Sequence, residues 1–162
     1  MIYKIGYIKD ILGNNYLGIK FNEGQIKPFL DDLRELVDNE NQYDTLVGNQ
    51  QRRDHTDGEH THHCTVLSVM EYNKLMNSMG SEFQKRIGLI QSLDIQDLTF
   101  VGVGKAERAG NTSYYIVIDS PTLDEVRSSL KLEPKDFHIT IGFDKKDVFG
   151  VRKNQVLKKK VD

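Results

Sequence analysis

The sequence predicts an α+β domain, and three observations carry that prediction. Short apolar runs bounded by turn residues alternate with amphipathic stretches of helical period. The order strand, helix, turn, strand occurs twice along the chain. Each occurrence closes on a strand containing His-x-Thr: "HHCTVLSV" at 62–69 and "FHITIGF" at 137–143. The recurrence predicts one pseudo-symmetric domain over 1–162, with halves of about 1–80 and 95–150, whose two motifs meet in a central cleft.

The elements follow in order. "YLGIKF" at 16–21 is a short apolar run between "GNN" and "NEG", a strand between turns. Ile26, Phe29, Leu30, Leu33, Leu36 and Val37 then recur at helical spacing. Pro28 fits that helix only within its first turn. Residues 38–61 are polar and show no sustained period, which predicts a long loop. "SVMEYNKLMNSMGSEFQKRIGLIQSL" predicts two short helices broken near Gly80. "LTFVGVGK" at 98–105 and "SYYIVIDS" at 113–120 are strands joined by the turn-rich "AERAGNT". Ser120 is placed to cap the next helix and Pro121 to occupy its first position, with Leu123, Val126 and Leu130 as the buried stripe.

Composition narrows the functional classes. The chain has 162 residues and a formal net charge of only −2, so no general basic coat announces a nucleic-acid binder. Recognition of a nucleotide must be local. The single cysteine, Cys64, excludes an internal disulfide framework and fits a reducing compartment. Lys4 and Lys9 interrupt the opening segment as a signal peptide, and no apolar run is long enough to span a bilayer. The expectation is a cytoplasmic protein with no membrane association.

On a strand, residues i and i+2 share a face. His63 and Thr65 therefore project together, as do His138 and Thr140, while Cys64 and Ile139 turn away. Adjacent strands would bring two imidazoles and two hydroxyls to one cleft. That set suits phosphodiester cleavage without a metal or other cofactor. One neutral imidazole takes a proton from the attacking oxygen, and the other, protonated, gives one to the departing oxygen. Thr65 and Thr140 are the candidate phosphate-binding groups. The sequence leaves open which histidine plays which part.

"HCTV" and "HITI" resemble the paired H-x-T-x signatures of the two-histidine (2H) phosphoesterases. "PKDFHITIGFDKKDVFGVRK" looks most like the Swiss-Army-Knife branch of that superfamily, in which a D-[VI]-x-G segment follows the second motif strand. The resemblance implies a bilobal α+β fold with antiparallel sheets lining the cleft. It also implies metal-independent hydrolysis of phosphodiesters beside a ribose 2′ oxygen. Substrate classes in the family include 2′,3′-cyclic phosphate RNA ends, 2′–5′ linkages, ADP-ribose cyclic phosphate and cyclic oligonucleotide messengers. Some phage and viral members destroy host immune signals this way. The positions carried over are His63, Thr65, His138 and Thr140.

Rival readings attach to other residues. His55, His60, His62 and His63, with Asp54, Asp57 and Glu59, include spacing suited to a zinc or manganese site. That reading leaves the second His-x-Thr unexplained; a polar flap beside the cleft is the preferred role for this stretch. Lys105, Arg108, Lys145, Arg152 and Lys153 are candidate phosphate-steering cations against a default of solvated surface charge. Arg152 and Lys153 are the preferred pair. Tyr16 is a candidate for stacking on a base, with core packing as its default, and only one of Tyr114 and Tyr115 can face a given sheet surface. "GVGK" at 102–105 lacks the phosphate-loop spacing and predicts close backbone packing instead. "KKK" at 158–160 predicts a solubilising tail. The expected partner is a small nucleotide or a cyclic oligonucleotide. RNA-end processing and a non-catalytic nucleotide- or RNA-binding module are the alternatives.

Overall fold

The computed structural model describes residues 1–54 and 62–160. Its elements run β1 (Gly6–Lys9), β2 (Asn15–Phe21), α1 (Glu23–Leu36), α2 (Glu40–Asp54), β3 (His62–Leu67), α3 (Val69–Met79), α4 (Ser81–Ser92), β4 (Thr99–Arg108), β5 (Asn111–Asp119), α5 (Pro121–Ser129), β6 (His138–Phe143) and β7 (Lys158–Lys159). Hydrogen bonding strings the strands in the order β1-β2-β3-β6-β5-β4-β7. The pairs β1–β2, β3–β6, β6–β5, β5–β4 and β4–β7 are antiparallel, so the fold is α+β as the sequence predicts.

The chain divides into two compact units. The first comprises Met1–Ile19, Thr65–Leu98 and Ser120–Lys135. Its core includes Ile5, Leu17, Val66, Phe83, Ile87 and Leu123, all buried. Gly80, at φ +58°, separates α3 from α4 where the sequence predicts the break. Ser120 caps α5 by accepting from the Leu123 amide at 3.2 Å, with Pro121 opening the helix as predicted. One buried member of α5 is not apolar. Arg127 donates to both Glu71 carboxylate oxygens, at 2.9 and 2.7 Å, and to the Val66 carbonyl at 2.8 Å. A fully paired guanidinium of this kind offsets the cost of its burial.

The second unit comprises Lys20–Cys64, Thr99–Asp119 and Asp136–Asp162. Its sheet carries α1 and α2 on one face. Phe29 of α1 stacks on Phe100 of β4, and an added Cβ at Gly142 of β6 would meet Leu46 of α2 at 3.0 Å. Asn22 and Gln25 cap α1 reciprocally, each side chain accepting from the other's backbone amide at 2.9 Å. Pro28 lies in the second turn of α1 rather than the first, and removes the bond its amide would make to the Gly24 carbonyl.

Two sequence expectations are corrected here, and one strand is added. The stretch taken as a loop over 38–61 contains the 15-residue helix α2. Its buried positions, Tyr43, Leu46, Val47, Gln50 and Asp54, keep helical spacing, but two of them are polar and interrupt the apolar period. Gly6–Lys9 forms an edge strand, in register with Gly18–Asn15. The lysines at 158 and 159 form β7 against Gly102 and Val103, and Lys158 is ion-paired to Asp32 at 3.2 Å and to Glu35.

β7 pairs with β4 because the "GVGK" strand is bare on one side. An added Cβ at Gly104 would lie 1.8 Å from the Gln155 carbonyl oxygen, and one at Gly102 would lie 2.3 Å from that of Lys158. The backbone over 155–159 occupies the space where side chains would stand, which is the close packing the sequence predicts. Gly104→Ala is therefore expected to push this segment off the sheet and to destabilise the protein by about 1–3 kcal/mol. The measurement is a urea unfolding curve; an unchanged midpoint would contradict the packing described.

Candidate functional site

The candidate site is built from the part of β3 up to Cys64, from β6 and β5, and from the segment that follows β6, all in the second unit. Cys64 of β3 pairs directly with Ile139 of β6, and both are fully buried. Counting outward along two antiparallel strands, His63 stands opposite Thr140. His138, two residues before Thr140, is then a diagonal neighbour of His63 on the same sheet face. Such diagonal positions lie about 7–8 Å apart, a span that side chains reaching toward each other can close on a single ligand group. Thr65 shares the strand face of His63 by simple alternation and is half-buried.

β5 extends this face. Tyr115 pairs with Thr140, and Val117 pairs with His138. The Tyr115 ring meets the His138 ring edge-on, with centroids 6.0 Å apart. Its hydroxyl lies 3.1 Å from the Lys105 carbonyl and 3.2 Å from that of Gln155. Ala106, Tyr115, Val117 and Val148 form an apolar cluster beside the histidines, with Val101, Val151 and Val156 packed against it.

Each imidazole has a defined Nδ1 environment. His138 Nδ1 is 2.7 Å from the Asp136 carbonyl oxygen. A carbonyl can only accept, so Nδ1 carries the proton and Nε2 is the nitrogen left for proton exchange. His63 Nδ1 faces Asp54 Oδ2 of α2 at 3.6 Å, an electrostatic pairing longer than a hydrogen bond. Burial lowers the His63 pKa below its ordinary 6.5. The nearby Arg53 and Lys20 charges push the same way, against the pull of Asp54 and Asp147. His63 is thereby held as neutral imidazole at neutral pH, the form a general base requires.

Beside the motif residues lies a connected group of buried and part-buried charges. Asp147 accepts from Ser113 Oγ at 2.7 Å, Arg53 at 2.6 Å, Lys153 Nζ at 3.3 Å and Thr140 Oγ1 at 3.3 Å, and from the Val148 amide at 2.9 Å. Burial alone would raise its pKa, but Lys153 and Arg53 outweigh that effect and hold the carboxyl at about 2. Arg53 also donates to both Asp54 oxygens, at 2.8 and 3.1 Å, and Gln50 donates to Asp54 at 2.7 Å.

The structure places the other residues singled out from sequence as follows. Lys153 is buried, bound to Asp147 and set over the Phe149 ring at 5.6 Å. Arg152 is exposed and grips Asp136 through two bonds, at 2.7 and 3.0 Å. Lys105 is the clear displacement. It pairs in register with Tyr114, whose side chain alternates away from that of Tyr115, so Lys105 stands on the face opposite the histidines. There it pairs with Glu107 at 3.1 Å and lines a hollow of about 530 Å³ with Asn41, Thr45 and Tyr114. Tyr16 lies on β2 in the first unit, in register with Ile8. His62 is buried on the far face of β3 from His63. His55, Asp57, Glu59 and His60 lie outside the described residues, and among the described ones no three His, Cys, Asp or Glu side chains converge as a metal site. No helix of the described residues is long and apolar enough to cross a membrane.

Sequence reasoning passes over Arg53, Ser113 and Lys20, and reads Asp54 only as a candidate metal ligand. Asp147 had a signal, since it opens the "DVFG" segment after the second motif. Nothing local signals that Asp54 faces His63, because it ends a stretch whose polarity resembles a loop.

A family model described as "Swiss Army Knife, 2H phosphoesterase domain" matches residues 24–149. No curated protein and no solved structure matches the chain.

The shifted groups set a pH dependence of stability. Asp147 titrates at about 2 in the folded protein against 3.8 ordinarily, so its contribution is complete above about 4 and disappears as pH falls toward 2. The amount is roughly 2 kcal/mol. His63 adds to the same trend: its lowered pKa makes the unfolded chain the better proton acceptor, so stability also declines as pH falls through 6.5. Urea unfolding between pH 2 and 8 should show both declines. Asp147→Asn should flatten the lower one, and a variant that keeps the full acid decline would contradict the assignment.

Proposed function

Because the chain belongs to the Swiss Army Knife group of 2H phosphoesterases, a family that hydrolyses phosphodiesters, we propose that it cleaves a nucleotide phosphodiester next to a ribose 2′ oxygen by paired-histidine acid–base catalysis. The single observation that carries this reading is the Cys64–Ile139 register, which sets His63 and His138 diagonally on one sheet face. His63, neutral through burial, takes the proton of the attacking oxygen. His138, its Nδ1–H fixed on the Asp136 carbonyl, gives a proton from Nε2 to the departing oxygen. With a 2′,3′-cyclic phosphate the attacking oxygen is water and the departing oxygen is the ribose 2′ or 3′ oxygen. With a cyclic oligonucleotide the 2′ hydroxyl attacks its own 3′ phosphate and the 5′ oxygen departs.

Thr65 and Thr140 are the proposed phosphate-binding hydroxyls. Thr140 donates to Asp147 in this structure, so its hydroxyl must turn away from that carboxylate to donate to a phosphoryl oxygen. No resident metal enters this chemistry.

Charge favours a compact substrate. A long RNA is held by many phosphate contacts from lysine and arginine. Here Arg152 is paired with Asp136, Lys105 with Glu107, Lys153 with Asp147, and Arg53 with two carboxylates. A small cyclic nucleotide, or a cyclic oligonucleotide messenger of the kind that anti-defence enzymes destroy, places few phosphates in one spot and needs fewer cations. RNA ends are the second class to test.

The experiment is turnover with 2′,3′-cyclic mononucleotides, 2′–5′ dinucleotides, cyclic di- and trinucleotides and 2′,3′-cyclic-phosphate-ended RNA, with and without a chelator. The expected result is chelator-resistant product from at least one small substrate. His63→Ala and His138→Ala should each lose about 10²–10⁴-fold in kcat. Tight binding of these compounds with no product from any would favour a binding module, and activity abolished by chelation would point to metal catalysis.

A further inference from the structure

Two buried carboxylates, a buried lysine and the part-buried Arg53 sit beside the histidines, and the acid–base chemistry above uses none of them directly. Asp54 and Asp147 are each 8% exposed and Lys153 is 6% exposed. Arg53 lies between the carboxylates, bound to Asp54 through Nε and a terminal nitrogen and to Asp147 through the other. One carboxylate faces His63 Nδ1 and the other holds Thr140. The opposite residues of the two motif strands are thus tied through a single guanidinium.

We infer that Asp54 is the positioning residue for His63, and that Arg53 links it to Asp147 in a charge-balanced network supporting both His-x-Thr strands. The inference rests on the reading of His63 as the general base. Arg53 and Lys153 supply two positive charges, and Asp54 and Asp147 two negative ones. The network is neutral while His63 is neutral. When His63 takes a proton, one positive charge appears in a buried place, and the anionic phosphodiester is what matches it. Asp54 selects the tautomer with hydrogen on Nδ1, which leaves Nε2 as the accepting nitrogen. It also stabilises the imidazolium once formed, as a buried aspartate does for a catalytic histidine elsewhere.

The charged groups acting on His63 come from every side. Asp54 and Arg53 act from α2, Asp147 from the segment after β6, and Lys20 from β2. Lys20 is exposed and alternates with Phe21, which packs edge-on to Phe100 on the helix side, so Lys20 belongs to the histidine side. Removing a charge of either sign therefore has a signed consequence. Loss of Asp54 disfavours the imidazolium, and loss of Arg53 favours it. Loosening of the fold does something different: by hydrating His63, it moves the ring back up toward 6.5 in any variant.

The test is a titration of the His63 ring nitrogens by NMR in ¹⁵N-labelled protein without substrate. Wild-type protein should show the Nδ1–H tautomer. Asp54→Asn should lower the His63 midpoint, Arg53→Gln should raise it, and Arg53→Lys, which keeps the charge, should leave it near wild type. An Nε2–H tautomer in wild-type protein would overturn the inference and needs no variant that folds poorly. So would movement of Asp54→Asn and Arg53→Gln in the same direction. With the substrate found in the panel above, Asp54→Asn should lower kcat/KM by about 10²-fold, and the acid limb of the pH–rate profile should follow the NMR midpoint. Ring midpoints that shift as expected while that limb stays in place would uphold the network and instead remove His63 from the role of base.

Discussion

One pairing organises the site: Cys64 opposite Ile139 in adjacent antiparallel strands. Both side chains are fully buried, so burial locks the register. A slip of one residue would turn every side chain of β3 to the other face and bury His63 among apolar groups. Because the register is fixed, His63 and Thr65 must emerge on the opposite side, and so must His138 and Thr140. The shared face of the two motifs is a consequence of strand alternation enforced by a core.

The bulge in β6 completes the arrangement. Tyr115 pairs with Thr140 and Tyr114 with Gly142, so Ile141 is the extra residue. Beyond it, Phe143 stands opposite Ser113, and Arg53 lies over the Phe143 ring at 5.3 Å. Bulges often re-aim side chains beside active sites. Here the strand continues into a segment whose Asp147 reaches back to Ser113 and Thr140. A continuous ladder would have put Phe143 on the helix side.

Much of this was legible in the sequence, for reasons visible in particular residues. The apolar period of Ile26, Phe29 and Leu33 marks α1, Gly80 marks the break between α3 and α4, and Ser120-Pro121 marks the start of α5. The two His-x-Thr strands announce themselves because alternation makes a shared face predictable from spacing alone. α2 stayed hidden because Gln50 and Asp54, polar residues, fill part of its buried face. β7 stayed hidden because its pairing rests on backbone bonds and on the absence of side chains at Gly102 and Gly104, not on any pattern of its own. The Asp54–Arg53–Asp147 connection joins residues far apart in the chain, and no local spacing encodes it. Lys105 misled because its charge was legible while its sheet face was not.

The central proposal is that His63 and His138 work on one phosphorus as a coupled pair. The most direct measurement is a double-mutant cycle on kcat with the preferred substrate, comparing His63→Ala, His138→Ala and the double variant. Groups that act as one unit lose almost everything with the first removal. The double variant should therefore be about as slow as the slower single one. Losses that multiply, as though each ring worked independently, would contradict the account.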